Sequence, residues 1–265
     1  MASNKFSAED KDKIKDMLNT LRKVQQEIER NSSSGVAPKS ANNPKEFHMH
    51  SGGAWGADTD WAEAATKYGM TDDADHISHY YWGKKTPGGN KPISQKEFNE
   101  GVDRVEIADQ TLHRLDNMTE ERQKAALPLF ARNWLQVKNS DAVFAVGQLD
   151  YGRVSGGTGW AVQMAIDSRK PVHIFNLSDE TWYTYDAEQR LFVKEETPKL
   201  TKNFAGIGTR SIDPEIEEKT KSYKKPVKYV GDDKRAAALK AIDNVFRKTF
   251  GTPSQSKVEE NKTPL

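Results

Sequence analysis

The 265-residue sequence contains no cysteine. That excludes a disulfide framework, a thiolate nucleophile and a cysteine-ligated zinc, and it fits a reducing compartment, so a cytoplasmic protein is expected. No apolar run approaches the roughly 18 residues needed to cross a bilayer, and the first residues are polar and charged, unlike a secretory signal. Charge of one sign is missing as well: 40 lysines and arginines stand against 39 acids. No global field draws such a chain to nucleic acid or to an anionic membrane, so neither is an expected partner, and anion binding must come from a local arrangement. There is no internal repeat of fixed period and no H-E-x-x-H zinc motif.

What is present divides the chain into four parts. Ile14, Leu18, Leu21, Val24 and Ile28 recur at helical spacing behind a capping-box-like Ser7, which predicts an amphipathic helix within residues 1–30. Residues 31–45, NSSSGVAPKSANNPK, are a loop or linker by composition. Residues 46–251 hold the alternating pattern of a single α/β domain, a Rossmann-like three-layer sandwich on a mainly parallel sheet. Residues 252–265 have little to bury and are expected to be disordered. Within the domain, EFHMH is a strand, TDWAEAATKYG a helix closing at Gly69, and residues 70–100 an irregular surface excursion. Helices are expected over 98–115 and 120–137. DAVFAVG, GWAVQMAIDS and KPVHIFN then give strand, helix and strand, too short a link for anything except a right-handed parallel crossover. WYTYDAEQRLFVKEE is hairpin-like and KNFAGIGTR a late apolar strand. After a charged segment, 213–235, the final helix places Leu239, Ile242, Val245 and Phe246 on one face.

Three times a strand-like run enters a loop of small residues. The first is Ser51, Gly52, Gly53, Ala54, Trp55 and Gly56, followed by Asp58. The second runs from Arg153 through Ser155, Gly156, Gly157, Thr158 and Gly159 to Trp160, and the third holds Gly206, Gly208, Thr209 and Arg210. In an open parallel sheet, loops leaving the carboxyl ends of strands converge on one crevice. Glycines let a ligand approach the backbone, and free amides at a helix start favour a phosphate or carboxylate. Arg132, Arg153 and Arg210 are candidates for charge-assisted pairing, and Trp55 or Trp160 for stacking on a base, although Trp160 serves equally as core. Asp58 suits a ribose hydroxyl or the N-cap of its helix. Neither GIGTRS nor GGTGWAV completes G-x-G-x-x-G, and GKKTPGG lacks the lysine of a P-loop, so neither an NAD fingerprint nor a Walker site is indicated, and no cofactor is expected.

SGGAWGAD before a helix, the Arg132–Asn133 pair ahead of an apolar strand, SGGTGWAVQMA followed by KPVHIFN, and GIGTR together resemble the SLOG superfamily over roughly residues 46–250. That superfamily groups Rossmann-like phosphoribohydrolases, DNA-processing protein A and nucleotide-sensing domains of bacterial defence systems. The resemblance implies a homo-oligomer and a bound nucleotide-like small molecule, an ADP-ribose-type or cyclic nucleotide signal that the protein senses or sequesters. In many members a GIGSR-like strand comes first, whereas here GIGTR is late, so the chain looks either circularly permuted or completed by a late strand. The phosphoribohydrolase loop P-G-G-x-G-T-x-x-E carries a glutamate that assists N-glycosidic cleavage, and Gln163 stands at that position here. Glutamine cannot transfer that proton. Binding without cleavage is therefore the first expectation; the alternative is a nucleotide hydrolase drawing a carboxylate from Asp58 or Asp150.

His48 and His50 alternate on a strand, and His76 and His79 are spaced to share a helical face. Nothing in the sequence brings the two pairs together. No metal site is expected, and His50 and His79 are better candidates for pocket wall.

Overall fold

A computed structural model of the chain describes residues 42–70, 76–78 and 91–253. The helix expected within 1–30, almost all of the linker, His79 and most of the tail lie outside the described residues. The part of the linker that is described is partly ordered: Pro44–Glu46 form a short 3-10 turn capped by Asn43.

Nine strands and six α-helices follow. They are β1 (His48–Ser51), α1 (Ala57–Lys67), β2 (His76–Ser78), α2 (Gln95–Leu112), α3 (Glu120–Lys138), β3 (Ala142–Gly147), β4 (Leu149–Asp150), β5 (Arg153–Val154) and α4 (Thr158–Asp167). After them come β6 (Val172–Asn176), β7 (Thr181–Asp186), β8 (Leu191–Glu195), β9 (Asn203–Gly208), α5 (Ile216–Lys219) and α6 (Asp232–Phe250). Seven strands form one sheet in the order β2-β1-β9-β3-β6-β7-β8, while β4 and β5 pair by themselves. The first five are mutually parallel, and the β7–β8 hairpin extends the sheet antiparallel. The architecture is thus α/β, with helices on both faces of a mostly parallel sheet.

The central strands β3 and β9 are apolar from Ala142 to Gly147 and from Phe204 to Gly208 because both faces are covered. Phe144 and Val146 of β3 and Phe204 of β9 point to the layer formed by α1 and α6. Val143, Ala145, Ala205 and Ile207 point to the layer formed by α2, α3 and α4. On the first face Trp61 is fully buried, with its ring centroid 6.3 Å from that of Phe144, 6.4 Å from Phe204 and 5.9 Å from Phe246. Its indole N–H donates to the Ile207 carbonyl at 3.2 Å, which satisfies the one polar atom such a residue brings into a core.

Several expectations are corrected. The stretch 76–78 is a strand, so His76 does not share a helical face with a neighbour three residues on. Residues 95–112 are helical from a Ser94–Glu97 capping box onward, which places ordered structure inside the supposed excursion. On α6 the buried stripe is Ala238, Ala241, Ile242, Val245, Phe246 and Thr249. Leu239 falls about 100° from it and is 37% exposed.

The two crossovers set the position of the site. The chain passes from β1 through α1 to β2 in one direction across the sheet, and from β3 through α4 to β6 in the other. Crossovers of one hand running in opposite directions must lie on opposite faces, so the chain departs to different sides after β1 and after β3. Between these strands lies β9, inserted late in sequence at the centre of the sheet. The strand bearing GIGTR therefore completes the sheet from within.

Gly206 of β9 faces Trp61, and a Cβ there would sit 2.8 Å from the indole Cγ. Gly206→Ala should lower unfolding free energy by about 1–3 kcal/mol, the range for overpacking a close-packed core, measured by urea denaturation. A midpoint unchanged from wild type would show that the sheet yields at this point.

Candidate functional site

The carboxyl ends of β1, β9 and β3 open into a crevice of about 480 Å³ between the two helical layers. Its wall includes Ala54, Asp58, Arg132, Asn133, Ser155, Gly156, Gly157, Thr158, Trp160, Gly208, Thr209 and Arg210 from the sequence-derived candidates. All three glycine loops thus reach one place, as strand polarity requires.

The first loop is bare for the sake of its own chain. Asp58 stands in the first turn of α1, whose N-cap is Gly56 and not the aspartate. Its carboxylate reaches back over the loop. Oδ2 accepts from the amides of Gly52 at 3.2 Å and Ala54 at 3.3 Å, and Oδ1 accepts from Gly208 at 3.1 Å. The Ser51 hydroxyl accepts from the Gly53 amide at 3.2 Å, and the Ala57 amide donates to Thr209. Arg132 on α3 donates to the Gly52 carbonyl, and its guanidinium would meet any Cβ at position 52. Gly56 has φ 87°, and a Cβ would lie 2.6 Å from the Thr209 carbonyl oxygen. A carboxylate of the protein therefore fills the anion-binding position the sequence assigned to a phosphate. Asp58 is only 5% exposed; burial raises its carboxyl above the ordinary range, against the opposing pull of Arg132 and the three amides.

The second loop is different. The amides of Gly156, Gly157 and Thr158, at the start of α4, have no acceptor among the described residues. The loop is held instead through its carbonyls. Arg114 donates to the Gly156 carbonyl at 3.0 Å and to Val154 at 2.7 Å, and Asn133 Nδ2 donates to Gly157 at 3.3 Å. Gly157 has a helical φ of −64°, and a Cβ built on it meets nothing within 4 Å. Neither backbone conformation nor packing demands glycine there. The open space in front of it is the crevice.

Four arginines line the crevice, Arg114, Arg122, Arg132 and Arg210, against the single carboxylate of Asp58. Arg114, Arg122 and Arg210 have no carboxylate partner among the described residues, Arg210 lying 5.9 Å from the ring of Tyr223. The lining also includes the apolar Met118, Leu129, Phe130, Trp160 and Ile207. Trp160 is both core and wall, buried and stacked on Phe130 with centroids 4.5 Å apart.

Other candidates lie elsewhere. Gln163 faces a second cavity, with Gly159, Val162 and Ile166, and donates to Asp167 at 2.8 Å. Those four positions form one helical stripe, which turns Gln163 away from the loop it was aligned with. Arg153 belongs to the same cavity. Asp150 is exposed and accepts from Gln148. Trp55 is exposed outside the crevice wall, its ring 5.6 Å from the Lys219 ammonium. Gly206 lies beneath Trp61 in the core. His50 is buried in the sheet and does not line the crevice. Sequence reasoning missed Arg114, Arg122 and Gln136. Of these, Gln136 carried a signal: it stands four residues after Arg132 and three after Asn133 on α3, a third polar residue on one face of a turn whose other residues are Trp134 and Leu135.

Family models, curated proteins and solved structures give no match to this chain. The site has to be interpreted from its own geometry. Among the described residues no group of three His, Asp or Glu side chains is placed to hold a metal ion, and no helix is long and apolar enough to cross a membrane.

Asp58→Asn would turn an NH₂ group toward amides that need an acceptor and remove the charge facing Arg132. It should cost about 2–4 kcal/mol in unfolding free energy, and an unaltered urea midpoint would show that the tie contributes nothing. Two buried groups give opposite pH effects. Burial lowers the His50 pKa to about 4, so its contribution is complete above the unfolded value near 6.5 and is lost as pH falls toward 4. Burial raises Asp60 to about 6, despite Arg235 at 3.3 Å, so folding is favoured by its protonation and loses that benefit as pH rises from about 4 to 6. Asp60→Asn should therefore steepen the acid loss of stability between pH 6 and 4, and His50→Leu should flatten it, both measured by denaturant titrations across that range.

Proposed function

We propose that the protein binds a nucleotide-derived small molecule, of ADP-ribose or cyclic nucleotide type, as a sensor or sequestering protein. The observation that carries this reading is the start of α4: three backbone amides without an internal acceptor, at the positive end of a helix, facing a crevice with three carboxylate-free arginines. A phosphate is the ligand group that uses fixed amides and guanidinium groups together. The apolar wall of Phe130, Leu129, Met118 and Ile207 suits the flat, weakly polar remainder of a nucleotide. The resemblance of SGGTGWAVQMA to nucleotide-handling SLOG loops points the same way.

Binding is favoured over cleavage by the state of the acids. Asp58 is the one carboxylate lining the crevice among the described residues, and three amides and Arg132 hold it in place. A general acid or nucleophile must be free to meet the substrate. Asp150 lies outside, and Gln163, on another face of α4, decides nothing about catalysis.

Calorimetric titration should detect binding of at least one among ADP, ADP-ribose, cyclic AMP and a cyclic dinucleotide, with affinity falling as salt is raised. Gly157→Val, whose Cβ meets no neighbour within 4 Å, should weaken that binding at least tenfold while the melting temperature stays within about 2 °C, since surface changes away from packed features cost little. Absence of binding by all four, or release of free base on incubation, would overturn the proposal, the latter in favour of a hydrolase.

A further inference from the structure

Helix α3 carries Arg132, Asn133 and Gln136 into the crevice wall, where Asn133 and Gln136 are 6% and 1% exposed. Buried carboxamides have two chemically different ends, and which end faces where is fixed by the partners they meet. Here the chain of partners starts at a group that cannot turn round. The Gly157 carbonyl only accepts, so Asn133 must direct Nδ2 to it, at 3.3 Å. Asn133 Oδ1 then faces back along the helix and accepts from Gln136 Nε2 at 3.4 Å. Gln136 has thereby committed its amino end. Its Oε1 has no donor among the described residues, although the side chain belongs to the wall of the crevice.

An acceptor left in this state on an otherwise buried side chain costs free energy unless something arriving in the crevice donates to it. Without a ligand, solvent water is the donor available to such an acceptor, and a ligand that displaces it must replace the bond. We infer that Gln136 is a specificity-determining residue of the crevice, its Oε1 selecting ligands whose base or head group presents an N–H donor, such as the amino group of adenine or cytosine. This rests on the crevice being the nucleotide site proposed above. The same loop links the two ends of the ligand: the Gly157 amide is open to the phosphate, while its carbonyl orients the pair that meets the base. An analogue with no N–H at that edge leaves Oε1 buried and unsatisfied, and discrimination by such a loss is larger than discrimination by shape alone.

The test compares ADP with purine riboside 5′-diphosphate, and CDP with 2-pyrimidinone riboside 5′-diphosphate, pairs that differ only in the amino group, by calorimetry on the full chain. In at least one pair the amino-bearing member should bind at least tenfold tighter. Gln136→Met, which keeps the length and removes both the acceptor and the donor to Asn133, should reduce that preference to within twofold while pyrophosphate still binds. Pyrophosphate binding that persists in Gln136→Met separates loss of recognition from loss of folding. Equal affinities within both pairs, or a preference that survives Gln136→Met, would overturn the role of Gln136 and leave the phosphate crevice standing. Failure of all four nucleotides and of pyrophosphate to bind at millimolar concentration would overturn both.

Discussion

The Asp58 carboxylate is the contact on which the carboxyl end of the sheet depends. It belongs to the first turn of α1, on one face of the sheet, yet its bonds gather the loop after β1 and the end of β9, and its charge faces Arg132 of α3 on the other face. A topological switch point is a place where the chain parts to both sides, and parting strands leave backbone groups without sheet partners. Three such groups, the amides of Gly52, Ala54 and Gly208, find their acceptor in one side chain. Burying the carboxylate is expensive in isolation, and it becomes tolerable because three N–H donors and a guanidinium replace its water.

That arrangement divides labour between the glycine loops. The first is largely closed from within: the amides of Gly52, Gly53, Ala54 and Ala57 are used, and its glycines make way for Arg132 and for the Thr209–Arg210 backbone. The second loop leaves the amides of Gly156, Gly157 and Thr158, beside the open crevice, without an acceptor among the described residues. Arg114 and Asn133 hold it by its carbonyls, which immobilises a helix start without consuming its amides, the donors that the proposed anion site requires. The arginine that sequence comparison would choose from this loop, Arg153, faces the second cavity, and the charge at the crevice comes from α3 and the two segments that flank the sheet ends.

Local features were legible in the sequence wherever one physical cause dominated. The apolar runs at 142–147, 172–176 and 203–208 are strands because both faces are covered, and the 3.6-residue period of 120–138 comes from packing one side of a helix on the sheet. Convergence of the three loops followed from strand polarity alone. What could not be read was tertiary. The place of β9 between β1 and β3 follows from pairing across more than 60 residues, and the three-residue β2 has too few positions to show a period. Gln163 was misplaced because alignment with a motif ignores helical phase, whereas spacing groups it with Gly159, Val162 and Ile166. Asp58 and the loop amides were each assigned to a ligand because sequence shows that donors and an acceptor exist, but not that they bond to one another.

The glycines show how the structural and functional explanations separate. Every short glycine loop invites the thought that something must come close to its backbone, and here the approaching groups can be named for most positions. Gly52 gives way to Arg132, Gly56 to Thr209 and Gly206 to Trp61, so a structural requirement accounts for each. Gly157 is left over: its conformation suits any residue, and a Cβ there would meet no other part of the protein within 4 Å. On the reading proposed above, the constraint on a residue so freed, set beside three amides without acceptors, comes from outside the chain, and the positive charge of the crevice gives the sign of what would impose it.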